Sequence, residues 1–336
     1  METGVEEQQE SHFHSLAPET VITLVEEALG RYCTNLFRPL NSYINRVFEL
    51  EEEDGAGLIV KFYRPGRWHR EALLEEHTFL LELDDLEIPV IAPLRLQNEE
   101  TLGRYKDVAF ALFPKCGGRN FDEYSEEQWL ELGRLLGRFH RVGEQKQCQH
   151  RLVMHPERST RSQVDYLLDN GLVPSEQTGL FKELTDRLIT EITPLFEGQQ
   201  MIRIHGDCHF SNIIHRPGES FFLIDLDDMA MGPPVQDFWM LLPGPVEESR
   251  PELALFLEGY ETFRKFDRRG LKLIEPLRAM RFIHYMAWCG HQVVHDGHTL
   301  VNSDFGSFLY WQAELQDLSD QLQRIGEIDD HDGNSY

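Results

Sequence analysis

An aspartate, Asp207, an asparagine five residues on, Asn212, and an aspartate thirteen further, Asp225, stand in one stretch of the 336-residue chain. Phosphoryl transfer from a nucleotide needs a carboxylate near the attacking hydroxyl and further oxygen ligands that hold Mg²⁺ against the phosphates. These residues have the types and spacing for that chemistry: Asp207 to accept the hydroxyl proton, Asn212 and Asp225 to ligate the metal. Asp followed by four residues and Asn is weak by itself. It gains weight from the apolar runs at 201–204 and 213–214 that flank it, and from the run 221–224, a strand whose end would deliver Asp225. Asp227 and Asp228 add charge of the same sign, which a bound divalent cation would relieve; a solvated acidic turn is the plain alternative.

Lys61 is the second anchor. It lies within Leu58-Ile59-Val60-Lys61-Phe62-Tyr63, a pattern like the strand lysine that contacts ATP phosphates. A lysine inside an apolar strand is costly unless paired. Glu75 and Glu76 are its candidate partners, and Glu76 is preferred because it can face inward while His77, Phe79 and Leu80 pack. A lysine at a sheet edge facing solvent is the competing reading. The turn between the first two strands, Pro39 to Asn45, has no glycine. Its backbone amides and the Ser42 hydroxyl could still meet phosphate oxygens, although Asn41, Ser42 and Asn45 are also ordinary turn residues.

Other chemistries fit less well. His205, Cys208, His209 and His215 could be drawn as a zinc site, but no glutamate takes the place of a general base there, and His205 reads better as a ring packed under the loop. No G-x-S-x-G nucleophile turn occurs. The five cysteines are scattered without metal or redox spacing, so reduced thiols are expected. A formal net charge of −26 argues against a nucleic-acid partner and weakly favours a cationic macromolecular substrate, though solubility explains it too. With no apolar run of membrane length and no signal-peptide pattern at the start, no membrane partner and a cytosolic setting are expected.

The elements needed to position these residues follow from periodicity. Apolar spacing predicts a helix over 18–29 that stops at Gly30, then strands at 33–37, 46–50 and 58–63 with a turn at Asp54-Gly55. A helix over 67–83, a proline-punctuated connection and a strand at 108–113 come next, with a hinge near 113–118. Ser125 with Gln128 is a capping box opening a helix whose stripe is Trp129, Leu132, Leu136 and Phe139. Gly133 and Gly137 beside that stripe would let another helix approach closely. Further helices are expected over 251–266, 274–295 and 305–325. The predicted fold is α+β and bilobal, like a protein kinase. It has a small strand-rich N-lobe (16–113), a larger, mainly helical C-lobe (114–326), and loose tails at 1–15 and 327–336.

His205-Gly-Asp207-Cys-His-x-x-Asn212 with Ile224-Asp225 resembles the loop of aminoglycoside phosphotransferases, choline kinases and homoserine kinases. Within that superfamily, further segments resemble the bacterial stress-response Ser/Thr protein kinases. They are Pro39-Leu-Asn-Ser42-Tyr-x-Asn-Arg46-Val, Val60-Lys61-Phe-Tyr-Arg64-Pro-x-Arg67-Trp68, Leu74-Glu-Glu76-His77 and Gly232-Pro-x-Val-Gln-Asp237-x-Trp239. Asp225-Leu-Asp-Asp and Ile274-Glu-Pro-Leu-Arg278-Ala-Met-Arg281 extend the match. The resemblance implies an ATP- and Mg-dependent kinase acting on protein hydroxyls, autophosphorylation included; a monomer is expected. It also implies Asp207 as proton acceptor, Asn212 and Asp225 on Mg²⁺, Lys61 on ATP, Ser42 over the nucleotide, and Asp237 as a brace of the catalytic loop. Only eleven residues separate Asp225 from Asp237, too few for a long activation segment, and this keeps small-molecule acceptors such as choline, homoserine or an amino sugar open. A nucleotide-binding regulator without turnover is a third reading, disfavoured by the complete acid and metal set.

Overall fold

The structure, a computed structural model, describes residues 12–121, 123–216 and 218–332, with side chains described as far as residue 327. The chain forms two compact units, each built from three stretches: Met1–Arg151, Asp207–Met229 and Leu241–Lys265 in the first, Leu152–Gly206, Ala230–Met240 and Phe266–Tyr336 in the second.

In the first unit α1 (Pro18–Leu29) has proline in its first turn and ends on Gly30, whose φ of 68° is the left-handed C-cap that glycine adopts without a Cβ penalty. Strands β1 (Cys33–Leu40), β2 (Arg46–Glu52) and β3 (Gly57–Phe62) follow, then α2 (Arg70–Asp85), β4 (Gly103–Tyr105) and β5 (Val108–Pro114). The strands make one antiparallel sheet in the order β1-β2-β3-β5-β4. Side chains alternate across it. Phe48, Leu50, Val60, Phe62, Phe110 and Leu112 pack with Val21 and Val25 of α1 in one cluster. The other parity, Ala111 and Tyr63, packs with Leu73 of α2. Lys61 sits between Val47 and Ala111 in the register, so its parity sends it away from the α1 cluster.

The first unit also holds α3 (Glu126–Gly143), opened by the Ser125–Gln128 capping box with both of its hydrogen bonds, and a hairpin of β7 (Ile213–His215) and β8 (Phe221–Leu223). Two backbone ties secure the hairpin: His215 pairs with Arg119, and the Leu223 amide donates to the Pro89 carbonyl at 3.0 Å. Helix α7 (Arg250–Glu261) packs on α3 at the glycines. A Cβ on Gly133 would stand 2.0 Å from the Phe256 carbonyl oxygen, and one on Gly137 2.5 Å from that of Tyr260.

In the second unit β6 (Ile202–Ile204) pairs with β9 (Ala230–Gly232) beside helices α4 (Arg161–Asp169), α5 (Thr178–Phe196), α6 (Gln236–Trp239), α8 (Ile274–Asp296) and α9 (Phe308–Asp332). Gln321 of α9 donates to the Glu275 carboxylate of α8 at 2.6 Å. Among the described residues no helix is long and apolar enough to cross a membrane.

Several expectations need correction. The loose N-terminal tail was expected to run to residue 15, but Phe13 is buried in the α1 cluster and Arg46 donates to the carbonyls of Phe13 and His14. Burial of Phe13 and the two Arg46 hydrogen bonds hold residues 13 and 14; residues 1–11 lie outside the described part. At the other end α9 continues through Asp332 rather than stopping at 325. Each compact unit combines stretches from both sides of 113/114 or lies wholly beyond it, and the β7–β8 hairpin, bonded to Pro89 and Arg119, falls in the first. Strand β4 and helices α4 and α5 are additions to the expected elements, although Phe181, Leu188, Ile189, Ile192 and Phe196 of α5 do have helical spacing.

Gly133→Ala should destabilise by about 1–3 kcal/mol in urea unfolding, because overpacking against a fixed carbonyl outweighs alanine's helix preference of up to about 1 kcal/mol. Gly179→Ala, at an open helical position, should be neutral or stabilising; equal effects at both sites would reject the close-packing account.

Candidate active site

Lys61 draws the first unit's charged groups together. Its Nζ lies 2.9 Å from Asp225 Oδ1 and 3.3 Å from Asp227 Oδ1. Burial alone would lower its pKa, but Asp225 and then Asp227 reverse the effect and hold it well above the usual lysine range. Arg67 supplies a second cation, with Nη1 2.8 Å from Asp227 Oδ2 and Nη2 2.6 Å from Asp228 Oδ1. Asn45 donates to Asp227 Oδ2 at 3.1 Å and accepts from the Arg64 amide, fastening the β1–β2 turn. Asp227 is buried, which works to raise its pKa. Lys61, Arg67, Arg151 and the Asn45 hydrogen bond outweigh that and hold the carboxyl well below the usual range. The repulsion among the three acids is therefore answered from within the chain.

Asp225 differs from its neighbours. Its backbone is left-handed, with φ of 58°, a sparsely populated region for a residue with a side chain. Its side chain remains 55% exposed while it pairs with Lys61. The β7–β8 hairpin explains where it emerges: Asn212 enters β7, Asp225 follows β8, and the Ile224 amide donates to the Asn212 carbonyl at 3.0 Å. The side-chain nitrogen of Asn212 donates to the Asp207 carbonyl at 3.0 Å, so its oxygen is the atom available to a ligand. A carboxylate and an amide oxygen at one end of a hairpin are hard donors of the kind Mg²⁺ prefers.

Asp207 Oδ2 lies 3.4 Å from His209 Nε2. His209 Nδ1 accepts the Ser211 amide, which leaves the ring's proton on Nε2, facing the carboxylate. Asn120 holds the rest of the loop, its amide nitrogen 3.0, 3.2 and 3.0 Å from the carbonyls of Phe210, Ser211 and Ile213. In the second unit, buried Asp237 accepts from the amides of His205 and Gly206 at 2.6 and 2.8 Å, the two residues that immediately precede Asp207 in the chain.

Glu76 is placed otherwise than expected. It makes no direct ion pair with Lys61, although Lys61 is the largest charge acting on it; its carboxyl lies 3.6 Å from Arg151 Nη1, and burial, opposed by Lys61 and then Arg151, pushes its pKa up to about 8. Lys61 is already satisfied by Asp225 and Asp227, and the Arg151 guanidinium stands beside Glu76. Glu75, the other candidate, accepts the backbone amides of Gln149, His150 and Arg151. Ser42 lies exposed in the β1–β2 turn. No group of three or more His, Cys, Asp or Glu among the described residues could hold a metal ion, so His205, Cys208, His209 and His215 do not assemble as zinc ligands. Residue types and spacing suggest no role for Arg67 or Asn45, although both stand in segments that carry the family resemblance. Arg151 and Asn120 carry no signal at all, being far in sequence from what they hold.

A sheet lysine joined to an aspartate at the end of a hairpin, with an Asp–Asn loop ahead of it, is the constellation of a phosphotransferase. The family model for the phosphotransferase enzyme family (APH) matches residues 37–274, and the chain belongs to that family. Among individual proteins it is similar to stress response kinase A of Escherichia coli (strain K12), at 42% identity over 277 residues, 82% of this chain and 83% of that one. It is 40% identical over the same shares to the serine/threonine protein kinase RdoA of Salmonella typhimurium (strain LT2). Its fold is that of solved kinases at much lower identity. An amicoumacin kinase, hAmiN, in complex with AMP-PNP, Ca²⁺ and Ami aligns at a TM-score of 0.74 and 18% identity, over 91% of this chain and 94% of that one. Choline kinase LicA from Streptococcus pneumoniae aligns at 0.63 and 15%, over 91% and 97%. The protein is a kinase with the expected α+β, protein-kinase-like fold.

Asp227→Asn should cost about 3–5 kcal/mol in denaturant unfolding, because it strips a buried partner from two cations. Asp228→Asn, whose carboxylate is 31% exposed, should cost about 1 kcal/mol or less; similar losses would refute the buried pairing.

His77 gives a pH signature. It is buried between the Tyr63 hydroxyl at 2.9 Å and Thr101 Oγ1 at 2.8 Å. Burial first, then the charges of Lys61 and Arg151, lower its pKa from 6.5 to about 3. Between those values the unfolded chain binds a proton that the folded chain does not, so stability present above pH 6.5 is lost as pH falls, at up to about 1.4 kcal/mol per unit. His77→Gln should flatten the unfolding midpoint between pH 6.5 and 4 relative to the parent; an unchanged slope would show that His77 does not titrate there.

Proposed function

We propose that the chain is an ATP- and Mg²⁺-dependent Ser/Thr protein kinase of a bacterial stress response. The observation that carries the reading is the meeting of Lys61 with Asp225 at 2.9 Å, beside an Asn212 bonded to the residue before Asp225. Asp207 would accept the proton of the acceptor hydroxyl as its oxygen bonds to the γ-phosphorus and the bond to the bridging oxygen breaks, releasing ADP. Lys61 would turn from the acids toward phosphate oxygens, and Ser42 with the backbone of its turn would cover the nucleotide. Glu76 would act on the nucleotide side at one remove, through Arg151. Asn212 and Asp225 would hold Mg²⁺, which when bound draws charge from the phosphates. His209 orients Asp207, and Asp237 fixes the entry to its loop. Similarity at 40% to a protein named as a serine/threonine protein kinase supports a protein acceptor and admits autophosphorylation. The same reading puts the protein in the cytosol as a monomer, with neither nucleic acid nor membrane as partner.

A small-molecule acceptor is the second reading. Between Asp225 and Asp237 the chain is used up by a 3₁₀ turn (Leu226–Asp228), strand β9 and the start of α6, with no length left for a peptide-docking segment. The solved neighbours include choline and aminopropanol kinases.

Labelled ATP offered with a basic model protein should yield phosphoserine or phosphothreonine, whereas transfer to small alcohols alone would eliminate the protein-kinase reading. In parallel, Asp207→Ala should bind ATP within a few-fold of the parent and lose about 10²–10⁴ in kcat. Unchanged turnover would remove Asp207 from the role of proton acceptor.

A further inference from the structure

Arg151 has a fully buried side chain in a loop without regular structure, and its guanidinium is directed entirely inward. Its Nε donates to the Met229 carbonyl at 2.7 Å, and Nη2 donates to the Asp227 carbonyl. Nη1 reaches the Ala72 carbonyl at 3.5 Å and the Glu76 carboxylate at 3.6 Å. The Trp68 ring covers it, 4.0 Å from Cζ to the centroid. A planar fork with fixed donor directions sets the spacing and tilt of the carbonyls it binds, which a lysine's single ammonium cannot do. The two carbonyls belong to the segment that begins with left-handed Asp225 and turns through Leu226–Asp228.

Arg151 is itself held. Glu75 accepts three consecutive amides, from Gln149, His150 and Arg151, at 2.7, 3.0 and 3.1 Å. Glu76, the next residue of α2, faces the guanidinium. Glu75 thus holds the backbone at Arg151, Glu76 Oε2 lies 3.6 Å from its head group without a hydrogen bond, and the arginine holds the carbonyls that follow Asp225.

We propose that Arg151 is a positioning residue for metal binding: it sets the presentation of the Asp225 carboxylate by holding the Asp227 and Met229 carbonyls, and Glu75 and Glu76 carry the position of α2 to that segment through it. This rests on the assignment of Asp225 as a metal ligand above. Helix α2 therefore reaches the metal segment through an arginine fork, with Glu76 also in the field of Lys61 though not ion-paired to it. A buried arginine serving only stability would support both nucleotide states alike. One that positions Asp225 acts selectively on the metal-dependent state.

The test is equilibrium binding of a fluorescent ATP analogue to full-length Arg151→Lys, Glu75→Gln and Asp225→Ala, in EDTA and across a Mg²⁺ titration, with thermal unfolding of each. Arg151→Lys should bind the analogue in EDTA within about twofold of the parent, yet need roughly tenfold more Mg²⁺ for half-maximal enhancement. Glu75→Gln, which leaves the guanidinium intact and loosens its loop, should shift the same midpoint by about threefold, and it decides the matter alone if Arg151→Lys does not fold. Loss of the Mg²⁺ enhancement in Asp225→Ala with a parental midpoint in the folded Arg151 and Glu75 variants overturns the positioning role. Equal weakening of binding with and without Mg²⁺ in those variants also overturns it. Retention of the enhancement in Asp225→Ala instead overturns the metal assignment, and with it the proposal built on it.

Discussion

An ammonium group in the middle of an apolar strand has to be answered by negative charge, and the organisation of the first unit follows from how Lys61 is answered. Strand parity sends its side chain away from the α1 cluster, into a region otherwise lined by Tyr63 and α2. A neutral lysine or an unpaired charge there would be costly. The carboxylates that meet it come from Asp225 and Asp227, about 160 residues later in the chain. A group that would otherwise destabilise the sheet thereby ties it to the hairpin that carries the metal-ligand candidates.

Three acids within four residues would repel one another if only the cluster itself were considered. The tertiary structure separates their roles. Asp227 is buried against Lys61, Arg67 and Asn45, and Asp228 is drawn to Arg67. Asp225 alone is kept largely exposed, in a backbone conformation that side-chain-bearing residues seldom adopt. Strain of this kind persists only where the surroundings over-determine it. Here the hairpin bonds on one side and the Arg151 fork on the other provide that constraint. The loop of Asp207 is treated similarly, with Asn120 on its carbonyls and Asp237 on the amides of the two preceding residues. Backbone groups that no regular element satisfies are each given a side-chain partner.

Much of this organisation is legible in the order of residues alone. The Asp207–Asn212–Asp225 spacing, Lys61 in its apolar strand, the capping box at Ser125 and the glycines at 133 and 137 all carry their meaning locally. Spacing along one element decides which side chains share a face. The chemistry of phosphoryl transfer restricts which residue types can stand together. These features lead to the phosphotransferase family and to the α+β fold, both of which hold.

What the sequence could not determine was partnership across distance. Glu76 is the nearest reasonable carboxylate for Lys61 along the chain, yet the electrostatic energy of a buried pair depends on separation in space, and two aspartates far along the chain lie closer. Arg151 and Asn120 bear no local pattern, because their function is to satisfy carbonyls of segments about 76 to 93 residues away. Phe13 is buried in a stretch that composition alone marks as loose, since burial of a ring is decided by the cluster that receives it. The amino-acid order determined which groups are candidates for the chemistry and most of the elements that bear them. Only the folded structure decided which charges neutralise one another, because Coulomb and hydrogen-bond energies depend on three-dimensional distance and not on position in the chain.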